Sequence, residues 1–166
     1  MSTAIKFTHK NPLLNSEVIK VFVESVKTTI TTMTNLKIYS EKPYTGSSLA
    51  LQAEIAGVVG ITSDEHRGLF IISFSKDAIL EIHNTMLGEA EMILSQSVVD
   101  VVGELSNMIY GVSKSELNKM GYNFQMAIPT IAKGSFELTN KNESLTIMMP
   151  FKINEKYRFM VAVSVE

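Results

Sequence analysis

The longest regular pattern of apolar and polar positions lies at 96–120, QSVVDVVGELSNMIYGVSKSELNKM. Val101, Val102, Leu105, Met108, Ile109 and Val112 recur at helical spacing and predict one long helix with a wide apolar face. Asp100, Glu104, Asn107 and Gly111 fall at i, i+4, i+7 and i+11, so they line one side of it. Gly103 and Ser106 add further small residues beside that stripe. A mid-helix glycine costs about 1 kcal/mol relative to alanine. Gly103 and Gly111 therefore suggest that something gains from a bare backbone there. On spacing alone, the stripe is also what an ordinary solvated helix face looks like.

The remaining elements follow from the same patterning. Asn11-Pro12 opens a first helix, which Val18, Val21, Phe22, Val26 and Ile30 carry to about Thr32. A short strand at 36–41 ends near Pro43, and 44–48 reads as a turn. A long strand covers 49–62, a hairpin loop 63–68, and 69–75 (LFIISFS) is apolar enough to be a central strand. A shorter helix at 77–87 is stopped by Gly88. After the long helix comes a strand at 122–130 with Pro129 near its end. Strands at 134–139, 145–153 and 157–165 follow at spacings that indicate antiparallel pairing.

The order helix, short strand ending in proline, paired longer strands occurs twice. Ser48-Leu49-Ala50-Leu51 aligns with Ser144-Leu145-Thr146-Ile147, and Leu69 to Ser75 with Arg158 to Ser164. The expectation is a single domain over 1–166 with similar halves at 12–75 and 92–166, joined by the short helix. In that alignment Glu24 and Lys27 stand where Glu104 and Asn107 do, so only the second half keeps a carboxamide.

Composition narrows the chemistry. The 166 residues are 45% hydrophobic and 19% charged, with a net charge of −2 and no basic cluster interleaved with aromatics, which gives no reason to expect nucleic acid. Cysteine is absent, which excludes disulfides, thiolate metal sites and a cysteine nucleophile. No apolar run approaches the ~20 residues that span a bilayer, and the N-terminal stretch lacks a signal-peptide core. A cytoplasmic protein is expected. His9, His66 and His83 are not spaced to share a metal, so no metal site is expected. No nucleophile elbow, P-loop or dinucleotide turn occurs. Either the protein binds without chemistry, or it completes an active site that another molecule largely supplies.

Asp100-x-x-x-Glu104-x-x-Asn107, followed after 21 residues by Pro129, is similar to the signature of the CheC/CheX/FliY family of chemotaxis phosphatases. Gly103, Tyr110-Gly111, Ala127-Ile128-Pro129-Thr130 and Met86-Leu87-Gly88 resemble that family as well. With one motif rather than two, the chain most resembles the CheX branch. The fold implied is α+β: two α-β-β-β units forming an antiparallel six-stranded sheet with long helices on one face. The activity implied is hydrolysis of the aspartyl-phosphate on a CheY-type response regulator, which brings its own Mg²⁺, so no cofactor of the chain's own is expected. The resemblance gives Asn107 the positioning of water and Glu104 the docking of the regulator. It makes Asp100, Pro129, Gly103 and Gly111 supporting residues, and it implies a homodimer joined through an edge strand. The alternative is a non-catalytic CheX-like module that binds a response regulator or a flagellar switch component.

Overall fold

In the computed structural model, which describes residues 11–46, 49–51, 53–138 and 145–166, the first helix starts later than Asn11-Pro12 suggested. Pro12–Leu14 forms only a 3-10 turn, and helix α1 (Ser16–Thr34) begins where the Asn15 side chain accepts from the Glu17 amide. It runs past Thr32 because the threonine-rich end is internally bonded. The buried Thr34 hydroxyl donates to Ile30 O and accepts from Leu36 N, and Asn35 then turns the chain at φ 60°.

The described residues form nine strands, in chain order β1 (Ile38–Ser40), β2 (Tyr44–Gly46), β3 (Leu49–Leu51), β4 (Ile55–Thr62), β5 (Arg67–Phe74), β6 (Thr130–Lys133), β7 (Phe136–Leu138), β8 (Leu145–Ile153) and β9 (Tyr157–Val165). Between β5 and β6 lie α2 (Lys76–Leu87) and α3 (Gln96–Lys119). The main sheet is antiparallel with the order β1-β8-β9-β5-β4-β6, and β2 pairs the far half of β8, so the sheet is six ranks wide. The order is symmetric about the β5–β9 contact. The outermost strand of each side, β1 or β6, pairs with a middle strand from the other half of the chain.

Register sorts the side chains onto two faces. Ile55, Gly57, Val59 and Ile61 share a face with Phe70, Ile72 and Phe74, and with Phe159, Val161, Val163 and Val165. That face carries the main core under the three helices. The opposite face holds a smaller cluster of Ala56, Ile71, Met148 and Ala162. This explains why β5 reads as a continuous apolar run rather than an alternating one.

Four readings of the sequence change. First, the expected strand at 49–62 is two strands: β3 leaves the main sheet and pairs with β7. Glu54 lies at the break: its carboxylate accepts from Lys76 N at the start of α2, while its backbone still bonds Phe74 and Gly134 in line with the main sheet. Second, 44–46 is a strand rather than a turn; Ser47 and Ser48 lie outside the described residues. Third, the strand expected at 122–130 starts only at Thr130. Gly121 and Asn123 have positive φ, and the Asn118 side chain takes both the N–H and the C=O of Phe124, which removes them from any ladder. Fourth, the strand expected at 134–139 pairs with β3 and not with 145–153; its last residue, Thr139, and the residues 140–144 that were expected to turn lie outside the described residues.

Helix α3 lies on β4 at very short range. A Cβ added at Gly57 would sit 1.8 Å from Ser106 Oγ and 2.9 Å from Ser106 Cβ. Gly57→Ala should therefore lift the helix and lower stability by about 1–3 kcal/mol, as overpacking of a filled core does. The measurement is a urea midpoint with an unchanged m-value.

Candidate functional site

The start of α3 is fixed before any of its outer face is reached. The Ser95 hydroxyl accepts from Val98 N, and the Ser97 hydroxyl lies 2.8 Å from His83 Nε2. His83 is fully buried. The Asn84 amide is oriented by its two bonds to the Glu91 backbone, so its oxygen faces His83 Nδ1 at 2.9 Å. An amide oxygen only accepts, so Nδ1 carries a proton, while Nε2 faces the Ser97 hydroxyl and, at 3.6 Å, the Glu89 carboxylate. The histidine is thus a strut between α2 and α3. His66 is also buried, with its ring centroid 6.3 Å from that of Tyr122; His9 lies outside the described residues.

Further along, α3 buries Val98, Val101, Val102, Leu105, Ile109, Tyr110 and Leu117. At about 1.5–3 kcal/mol for each large apolar side chain, that burial outweighs the two helix-interior glycines. Tyr110 reaches across the sheet edge and donates to Gln125 O at 2.8 Å. Burial raises its pKa, so the phenol stays protonated and keeps its donor.

The stripe lies on the outer surface of the helix. Asp100, Glu104 and Asn107 are exposed, and Gly103 and Gly111 are half-buried. Gln96 donates to the Asp100 carboxylate at 2.8 Å, which holds that side chain along the helix. Among the described residues, neither Glu104 nor Asn107 has a hydrogen-bonding or ionic partner. Asn107 therefore keeps both its amide donor and its carbonyl acceptor for something outside the chain. A Cβ at Gly111 would touch nothing within 4 Å, and one at Gly103 would make only ordinary contact with Ile131. Among the described residues, no packing demands glycine at either place.

Pro129 is half-buried and immediately precedes β6, at the edge of the sheet that α3 overlies. Glu24, on α1, is exposed and lines a hollow with Val112 and Glu116 of α3, while Lys27 faces a different hollow on α1. Neither residue joins the Glu104–Asn107 stripe. Glu104 and Asn107 line neither of those two hollows. Among the described residues, no group of three or more His, Cys, Asp or Glu could hold a metal ion. No helix is long and apolar enough to cross a membrane.

Sequence reasoning named Tyr110 only within the family resemblance and did not single out Gly57, although both hold α3 in place. A glycine inside a strand was the available signal for close approach; nothing in the sequence marked the reach of Tyr110 to Gln125.

The sequence profile of the family described as "Chemotaxis phosphatase CheX" matches residues 55–152, a span that contains α3 and Pro129. A curated relative from Thermotoga maritima, named CheY-P phosphatase CheX, is 25% identical over 154 residues, 92% of this chain and 98% of that one. A CheC-like superfamily protein from Shewanella sp. PV-4 is 31% identical with a TM-score of 0.84, over 92% of this chain and 99% of its own. CheX from Vibrio vulnificus is 30% identical with a TM-score of 0.83, over 90% of this chain and 99% of its own.

Tyr110→Phe keeps the ring and removes one buried hydrogen bond, worth about 1 kcal/mol. The expected result is a loss of that order in stability. The Gln125 amide, which donates to Thr62 O, should also exchange its hydrogen faster than in the parent protein.

Proposed function

The chain belongs to the chemotaxis phosphatase CheX family, and on that premise we propose that it hydrolyses the aspartyl-phosphate of a CheY-type response regulator. The observation that carries the reading is the pairing of Glu104 and Asn107, one turn apart and exposed on the rigid helix α3, inside the matched region. The name of the Thermotoga relative supports the substrate.

An acyl phosphate has a good leaving group, and the regulator carries the phosphorylated aspartate and its own Mg²⁺. What remains to be supplied is a water held in line with phosphorus. Asn107 does this with its carbonyl accepting from the water and its amide donating to the phosphoryl group. The water oxygen bonds to phosphorus, the P–O bond to the aspartyl carboxyl breaks, and carboxylate and inorganic phosphate leave with the water's protons on the phosphate. A carboxylate in place of Asn107 would be repelled by the phosphoryl oxygens. Glu104 pairs with a basic side chain of the regulator and sets the register of the two proteins. Asp100 and Pro129 support the helix face and the neighbouring backbone, and Gly103 and Gly111 let the regulator's surface approach closely. The dimer belongs to the same reading: β6 and the β1/β2 rank are the outer strands of the sheet, and either offers a row of backbone groups to a second copy.

Asn107→Ala should slow hydrolysis about 100-fold or more, because positioning alone is worth that much, with the urea midpoint unchanged. Glu104→Ala should raise KM about tenfold, equal to about 1.4 kcal/mol, and lower kcat as well. Decay of ³²P-labelled regulator, with and without each variant, measures both. Full activity in Asn107→Ala would overturn the mechanism, and binding without accelerated decay by the parent protein would favour a non-catalytic module. Light scattering on the eluting protein should give twice 18.4 kDa if the dimer forms.

A further inference from the structure

Two large apolar side chains stand in solvent beside α3: Met126 is 65% exposed and Ile128 is 91% exposed. Between them and after them, Ala127 and Pro129 are half-buried. This stretch is not paired as a strand, yet its ends are held. Gln125 N donates to Thr62 O, and Thr130 opposes Val58. Four residues, 126–129, thus span the length that three residues of β4, 59–61, cover opposite them. The extra residue makes a bulge, a feature concentrated at sheet edges and beside active sites. Ile128 lies within it.

The bulge is level with the stripe. Tyr110 bonds Gln125 at one end, and a Cβ at Gly103 would meet Ile131 at 3.7 Å at the other. Glu104 and Asn107 occupy the turns of α3 between those two contacts. Asn107 is also the i+4 neighbour of Gly103, so it lies toward the flank of the helix that overlies this segment. A protein that seats a phosphorylated side chain on Asn107 must cover the surroundings too. A standard interface takes roughly 800 Å² from each partner, and at a helical rise of about 1.5 Å per residue the bulge falls inside that footprint.

We propose that Met126 and Ile128 form the apolar anchor that docks the receiver domain of the phosphorylated regulator against the Glu104–Asn107 stripe. The inference rests on the function proposed above and adds to it the residues that set affinity. Continuity with the stripe selects the regulator as occupant. Residues 126–129 are not strand and offer no regular row of backbone groups, so a second copy joined through this edge would pair with β6 itself rather than with Met126 and Ile128.

The test is the double variant Met126→Ser, Ile128→Ser in the full chain; both side chains are solvent-exposed, so folding is not at stake. KM for phosphorylated regulator should rise about tenfold or more with kcat within about twofold, the pattern of an interaction made equally in ground and transition states. Leu87→Ser, at the far end of α2, removes an apolar side chain that is 46% exposed and should leave both constants unchanged. A parallel titration uses the Asn107→Ala protein with regulator carrying beryllofluoride in place of the phosphoryl group. Its affinity should fall by the same factor in the triple variant. If the parent protein fails to speed hydrolysis but the titration weakens, the proposed function falls and the anchor stands. If KM and the titration are both unchanged, the anchor is wrong. Loss of a dimer in light scattering, with KM unchanged, would assign these residues to a second copy and overturn the proposal.

Discussion

At Gly57 the sheet comes so close to α3 that there is no room for a Cβ between them. Ser106 fills that contact and donates its hydroxyl to Val102 O, so the polar atom brought against the strand is satisfied within the helix. The rotation of α3 about its own axis follows from this one contact. With Ser106 against β4, the buried row from Val98 to Leu117 turns into the core. Asp100, Glu104, Asn107 and Gly111 are then left pointing away from the sheet. The outer face is therefore decided on the inner one. The His83–Ser97 strut at one end and the Tyr110–Gln125 bond further along keep the helix from sliding or rolling.

Such rigidity matters for the proposed chemistry because an asparagine contributes so little by itself. It has no charge and transfers no proton; it can only hold a water at the right place, and positioning loses its value if the helix wanders by an ångström. A neutral amide also avoids a cost that a carboxylate would bring to a site receiving a phosphoryl group. That Glu104 and Asn107 have no internal partner among the described residues fits the same requirement. Hydrogen bonds within the chain would have to be broken before the regulator could be engaged.

What the sequence revealed and what it hid have physical causes. The long helix, the central strand β5 and the two late strands were legible because burial on a fixed face repeats with the period of the element. The stripe was legible as a spacing, and it gained a chemical meaning through the Asp100–Glu104–Asn107 and Pro129 pattern. The errors at 44–62 and 122–130 are of another kind. There, single polar side chains lie at the breaks: Glu54 reaches out to the start of α2, and Asn118 captures the backbone of Phe124. Neither act leaves a period in the sequence. The short strands β2, β3 and β7 were misassigned or mispaired for a related reason. With three residues each, they are specified by the strand beside them more than by their own composition.

The exposure of the stripe follows from the same architecture. The helix spends its apolar face on the sheet and leaves Glu104 and Asn107 exposed on its outer face, outside the hollow that Val112 and Glu116 line. Selectivity must then come from the size and shape of what covers the helix. A free acyl phosphate touching Asn107 would meet one amide and bulk solvent, whereas a folded receiver can cover the stripe, the glycines and the bulge together. Only such a partner removes enough water to strengthen a hydrogen bond at phosphorus. The two unsubstituted positions on α3 are consistent with this. Gly103 and Gly111 cost the isolated helix stability of about 1 kcal/mol each. Among the described residues no side chain needs the space; in the proposed complex it is the regulator's surface that would use it.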